Sequence, residues 1–251
     1  MTSLALAPAA ETPLGRINPV AQLAAIGVVT VVLLTSLDVV TPAVVVAAEL
    51  CLLPAAGLTA PRALWRRTWP LLLGAGSVGL VNVLLSADAG PVVGAALGLR
   101  VVGLALPGVL LVATTDPVRL ADALTIHWHV STRFAFGALA ALRLVPLLLE
   151  EFESVRLARR ARGIEARTPG ARVRLFAGIA FALLVGAVRR GSRLATAMDA
   201  RGFDSGIPRS NARGSHLHRR DAAFVAATVA VCAVAVTVSL TTGAWHPFVV
   251  G

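Results

Sequence analysis

Residues 141–163 read ALRLVPLLLEEFESVRLARRARG. Leu144, Leu148, Phe152 and Val155 recur at steps of three and four, which places them on one face of a helix. Glu150, Glu151, Glu153, Arg156, Arg159 and Arg160 occupy the other face. The stretch ends on Ala161-Arg162-Gly163. There a cation complements the negative end of the helix dipole, and a glycine can take the left-handed conformation that closes a helix. Asp199-Ala200-Arg201-Gly202-Phe203 ends a second long segment in the same way. Amphipathic helices of this length need an apolar surface, and the rest of the chain supplies one.

Of the 251 residues, 57% are hydrophobic and 14% are charged, which is the composition of an integral membrane protein. The net charge is +10, and every basic residue is Arg. Residues 114–220 hold 18 of the 23 Arg; Arg16, Arg62, Arg66, Arg67 and Arg100 precede them, and 221–251 has none. A basic block bracketed by apolar runs follows the positive-inside rule, so the charge does not point to nucleic acid. Cys51 and Cys232 both sit in apolar runs and are expected to be small core hydrophobes. The N-terminus lacks a basic n-region, so no signal peptide is expected, and residues 1–15 are expected to form a disordered arm.

A span needs about 20 apolar residues. Candidates are 20–37, 41–58, 69–87, 92–113 and 222–242, the first preceded by a turn at Asn18-Pro19. The loop with Arg62, Arg66 and Arg67 should be cytoplasmic, and the loops around Asp38 and Asp88, which lack Arg, should lie outside. The N-terminus and the 114–220 insert are then inside. The expected fold is all-α: a polytopic membrane protein with about five transmembrane helices and a cytoplasmic insert of long amphipathic helices. Its divisions are 1–15, the N-terminal spans in 16–113, the insert at 114–220, and the last span in 221–251. Glu49 and Arg100 fall inside spans, where ionisable groups suggest function. Alternatively, Arg100 marks the outer start of a span from Val101, and Glu49 faces a neighbouring helix.

In the insert, Thr115 or Asp116 can cap a helix that starts at Pro117 and runs to about residue 130. A second helix is expected over 132–162, kinked at Pro146, and a third over 171–201 with Leu175, Ile179, Leu183 and Val188 on its apolar face. Segment 173–188 is apolar enough to pass for a span, but Arg172, Arg174, Arg189, Arg190 and Arg193 flank it. Helices lying along the membrane interface are the preferred reading, with a crossing as the alternative.

Ala-Arg-Gly alone decides little, because a third copy stands at Ala212-Arg213-Gly214 in a polar loop. The order of the other pieces is more specific: Arg16-Ile17-Asn18-Pro19, then Thr114-Thr115-Asp116-Pro117 with Leu120 and Ala123-Leu124, then 141–163, then Ala197-Met198-Asp199-Ala200-Arg201-Gly202-Phe203. Together they resemble the T component of energy-coupling factor (ECF) transporters. The resemblance implies a non-catalytic scaffold joining a substrate-binding membrane S component to two cytoplasmic ABC ATPases. It implies that Arg162 and Arg201 couple to grooves on the ATPases, that Ala161 and Ala200 keep the approach narrow, and that Gly163 and Gly202 turn the chain. Arg143, Pro146, Glu150, Glu151, Arg159 and Asp199 are the supporting positions. The implied cargo is a vitamin or a metal ion, with biotin, another B vitamin, cobalt and nickel all open.

The residues agree with an energy source outside the chain. Without any Lys, the usual G-x-x-x-x-G-K-[ST] phosphate loop is excluded. No H-E-x-x-H occurs, and His127-Trp128-His129 and His216-Leu217-His218 are i, i+2 pairs that share no helix face. No cofactor or metal is expected. Two other classes stay open: an intramembrane enzyme using Glu49, Arg100 or the histidines, and an ordinary ABC permease with its own polar path.

Overall fold

A computed structural model of the chain describes residues 12–36, 38–58, 61–85, 90–164, 168–203 and 214–243. Every regular element among them is a helix. They are α1 (Pro19–Thr35), α2 (Val40–Leu52), α3 (Pro61–Leu85), α4 (Pro91–Thr114), α5 (Pro117–His127), α6 (Thr132–Ala161), α7 (Pro169–Ala200) and α8 (Arg219–Thr241). Helices α1, α3, α4, α5 and α7 begin on proline, whose missing N–H is no loss in a first turn. Before three of them the preceding residue supplies a cap: Asn18 accepts from Val20 N at 3.0 Å, Asp116 from Val118 N at 2.8 Å and Thr168 from Ala171 N at 3.2 Å.

Of the expected arm 1–15, residues 12–15 fall within the described residues. Leu14–Arg16 form a 3-10 turn, and Leu14 is buried with Leu53, Ala56, Leu58 and Leu110. Residues 1–11 and the Asp88 loop lie outside the described residues. Helix α2 is shorter than the span expected over 41–58, because a turn over 53–57, with Gly57 at φ +71°, ends it after Leu52. Helix α4, by contrast, runs unbroken through Arg100, so that residue does not mark the start of a span. By length and composition, five helices are apolar enough to cross a membrane: Thr68–Leu85 of α3, and α4, α6, α7 and α8. Helices α1 and α2 are apolar but shorter, at 17 and 13 residues.

The chain divides into two compact units, one containing Leu124–Gly214 and the other built from the chain on both sides of it. In the second unit α1, α2, α4 and α8 pack around Leu33, Val45, Cys232 and Ala235. Polar clusters pin both ends of this bundle. At one end Asp221 accepts from Asn18 N and His218 N, each at 2.7 Å, and so joins the starts of α1 and α8. Thr115 Oγ1 and Thr114 Oγ1 donate to Gln22 Oε1 at 3.3 and 3.5 Å, and Arg119 donates to the Gly15 carbonyl at 2.6 Å. Residues flanking Arg16–Pro19, Gly15 and Gln22, are thus held by Thr115 and Arg119, from about 90 or more residues further along the chain.

At the other end Asp38, 4% exposed, accepts from Ser239 Oγ at 2.6 Å, Thr41 N at 2.7 Å and Thr41 Oγ1 at 2.8 Å, and hydrogen-bonds the Ser36 hydroxyl. Burial pushes the Asp38 carboxyl upward, but the hydrogen bonds from Ser239 and Thr41 outweigh it and hold the group below its ordinary value. Helix α3 packs on α4 through glycine. A Cβ on Gly79 would stand 2.8 Å from the Gly94 carbonyl oxygen, and one on Gly94 would stand 2.7 Å from the Gly79 carbonyl oxygen. The backbones touch because neither position has a side chain.

In the first unit α6 and α7 run antiparallel, as their contacts require: Arg133 near the start of α6 meets Asp199 at the end of α7, and Arg159 near the end of α6 meets Gly178 near the start of α7. Leu144, Leu148, Phe152 and Val155 are half-buried along α6, as are Leu175 and Leu183 around the fully buried Ile179 of α7. Val188 is 61% exposed, off the face expected for it. The reason is angular: nine residues past Ile179, at about 100° each, carry it to the opposite side of the helix.

Candidate functional site

The two Ala-Arg-Gly stretches close α6 and α7 with one backbone geometry. Arg162 (φ −86°, ψ 11°) and Arg201 (φ −88°, ψ 10°) are the last half-helical residues. Gly163 and Gly202 follow in the left-handed region at φ +74° and +73°. Gly163 N donates to the Arg160 carbonyl at 2.9 Å, and Ile164 N to the Arg159 carbonyl at 3.1 Å. The second end repeats this: Gly202 N donates to the Asp199 carbonyl at 2.9 Å, and Phe203 N to the Met198 carbonyl at 3.1 Å. Each end is thus a complete Schellman motif, in which the paired 5→2 and 6→1 bonds satisfy carbonyls that would otherwise face nothing. Ala161, Arg162, Gly163, Ala200 and Arg201 are exposed, and Gly202 is half-buried. Because α6 and α7 are antiparallel, the two cationic ends stand at opposite ends of the pair.

The ends are braced differently. Asp199 holds Arg133 at 3.1 Å, and Phe203 meets Phe136 edge to face with ring centroids 6.2 Å apart, so the second end is anchored on the first turns of α6. Ile164, the matching residue of the first end, is 51% exposed. Among the supporting positions, Glu151 pairs with Arg190 at 2.7 Å, and Arg159 reaches the Gly178 carbonyl at 3.4 Å. A Cβ on Gly178 would sit 3.2 Å from the Arg159 guanidinium, so glycine leaves that side chain its seat. Arg143, Pro146 and Glu150 are exposed on α6. Arg133, Phe136 and Gly178 carry no signal in the sequence, because their roles depend on partners at least 19 residues away.

The remaining candidates do not assemble. Neither carboxylate oxygen of Glu49 has a hydrogen-bond partner, and neither do Nε and Nη2 of Arg100, so the two groups do not pair through these atoms. His129 sits at a positive φ of 52° beyond α5. Among the described residues no cluster of three or more His, Cys, Asp or Glu is placed to hold a metal. Both cysteines are free; Cys232 is a core residue, but Cys51 is exposed rather than buried. Of the third Ala-Arg-Gly, only Gly214 falls within the described residues, at φ +62°.

These features define a multi-pass, all-helical membrane protein with two like-built cationic helix ends. Residues 10–211 match the CbiQ family model, described as cobalt transport protein. The chain belongs to this family, that of the transmembrane T components of ECF transporters. It is 34% identical over 142 residues to the ECF transporter transmembrane protein EcfT of Limosilactobacillus fermentum, covering 53% of each chain. It is 33% identical over 156 residues to EcfT of Heliobacterium modesticaldum, covering 59% of this chain and 58% of that one. A putative ABC transporter ATP-binding protein of Bifidobacterium longum is 30% identical over 134 residues, 49% of this chain but 17% of that much longer protein. The chain spans about half the length of the EcfT relatives it matches.

Proposed function

We propose that this chain is the coupling subunit of an ECF-type importer, carrying the motion of two partner ATPases through its two Ala-Arg-Gly ends to a membrane S component that binds a vitamin or metal ion. The observation that carries the reading is the repeated geometry of the two ends. Two copies of one Schellman-capped, Arg-bearing terminus, at opposite ends of an antiparallel pair, suit two copies of one kind of partner. An exposed Arg at a helix end suits a carboxylate in a partner's groove, which its planar fork binds through two hydrogen bonds. A relative named as an ABC ATP-binding protein contains a region like this chain, which supports an ATPase as that partner. With no Lys for a phosphate loop, ATP hydrolysis is assigned to the partners. The N-terminus and residues 114–220 are placed on the cytoplasmic side, where the Arg-rich segment belongs.

Co-purification tests the proposal. The chain is co-expressed with candidate ABC ATPases of its own organism, as wild type and as Arg162→Glu with Arg201→Glu. Breaking one partner of a buried interfacial ion pair costs about 2–5 kcal/mol, so two reversals should abolish ATPase recovery. The helical circular dichroism and membrane insertion of the variant should stay unchanged. Full ATPase recovery by a folded double variant rejects the coupling role.

A further inference from the structure

The unit built from α1, α2, α4 and α8 forms a half-open pocket of about 170 Å³. Its walls are mostly apolar, with Val29 from α1, Val45 from α2, Leu110 from α4 and Phe224 from α8. Glu49 of α2 also lines it, 6% exposed, with neither carboxylate oxygen hydrogen-bonded. The other polar groups of the wall are engaged elsewhere. The Gln22 amide donates to the Leu14 carbonyl at 2.9 Å and accepts from Thr114 and Thr115, and the Thr228 hydroxyl donates to the Phe224 carbonyl at 3.0 Å. The Cys232 thiol, a weak donor, also lines the pocket. Neither Glu49 oxygen has a hydrogen bond, however, so the carboxyl group is left unmet in apolar surroundings. Leaving such a group buried and unmet costs several kcal/mol, which a bound donor would recover.

We propose that this pocket is a binding site for a small amine with a compact apolar body, its ammonium group seated on the Glu49 carboxylate. Size sets the apolar part. A cavity of about 150 Å³ lined by Leu, Ile and Phe takes up a benzene ring, so this one has room for a single ring or a short branched chain. Charge and donor count set the polar part. A carboxylate repels anions, and one carboxylate cannot complete the six or more oxygen ligands of Ca²⁺ or the octahedron of Mg²⁺. An ammonium on a one-carbon tether supplies charge and donors from within the volume. An occupant touching four helices also holds the bundle together by mass action.

Benzylamine is the probe, with benzyl alcohol as its uncharged counterpart. Each is titrated into the purified full chain in detergent, following the thermal unfolding midpoint and the heat of binding. In the wild type, benzylamine binds saturably and raises the midpoint more than benzyl alcohol does. Glu49→Gln keeps the shape and removes the charge; it should weaken benzylamine at least tenfold and erase its advantage over the alcohol. Ala227→Leu, at an exposed position of the cavity wall, leaves Glu49 intact and should lower the affinity for both probes. The proposal fails if the wild type shows no saturable binding, or if either variant binds benzylamine as the wild type does. Binding is read directly, so the outcome does not depend on ATPase coupling.

Discussion

At Gly163 a methyl group would meet no atom within 4 Å, so the backbone angle alone makes glycine necessary there. A left-handed conformation costs an ordinary residue about 1–2 kcal/mol. Gly163→Ala should therefore open the last turn of α6 locally, speeding amide exchange at Arg162 and Ile164 about fivefold or more by mass spectrometry, while the rest of the helix exchanges as before. Asp38 makes a second prediction, in pH. Its folded value lies below the ordinary carboxylate value of about 3.9, so its contribution is complete above that pH and is lost as pH falls through the folded value. The thermal midpoint should hold from neutral pH to about pH 5 and drop below about pH 4. Asp38→Asn leaves one of the Ser239 and Thr41 donors poorly met, at a cost of about 1–3 kcal/mol, and should blunt that acid-side drop.

Among the helices, α3 and α4 make the contact most sensitive to a single methyl. Gly94→Ala would drive a Cβ into a Val83 methyl and set it 2.7 Å from the Gly79 carbonyl oxygen. Such overpacking costs about 1–3 kcal/mol. Gly76 lies on the same α3, but nothing stands within 4 Å of its added Cβ. Gly76→Ala should be neutral or stabilising by up to about 1 kcal/mol, since alanine suits a helix better than glycine. Unfolding midpoints in one detergent separate the two, and equal losses would remove the close approach as the reason for Gly94. The pattern behind it, Gly94-x-x-x-Gly98, is visible in the sequence, but its partner Gly79 is not.

For the whole molecule, the decisive relation is the antiparallel run of α6 and α7. It separates the two Arg-bearing ends by nearly the length of α6, whose 30 residues span about 45 Å. Spin labels at exposed Ile164 and Ala200, with Cys51 and Cys232 replaced by Ser and Ala, should report a distance on the order of 40 Å. A distance under about 20 Å would place both ends on one side and reject the arrangement.

The helix ends were legible without any tertiary contact. A Schellman cap closes within six residues, and a proline or Asn18-type start within three, so local chemistry sets them. The limits of α6 and α7 read from 132–162 and 171–201 accordingly fall within two residues of those observed. The burial pattern along α6 was legible for the same reason, since its apolar residues keep helical phase. What lay beyond reading depends on residues far apart in the chain. Cys51 is as apolar as its neighbours, and only packing turns it outward, whereas Val188 is out of phase with Ile179 along α7 by spacing alone. Asp38 and Asp221 look like loop and helix-start residues until Ser239 and Asn18 arrive from about 200 positions away. Glu49 was visible as an ionisable group in an apolar run, but its isolation in a pocket exists only once four helices pack around it. By itself the sequence determined a helical membrane protein with two Arg-Gly helix ends, because dipoles, caps and hydropathy act locally. The tertiary structure alone decided which helices meet, how far apart those ends stand and what remains unpaired inside, because those depend on side-chain shape across the whole chain.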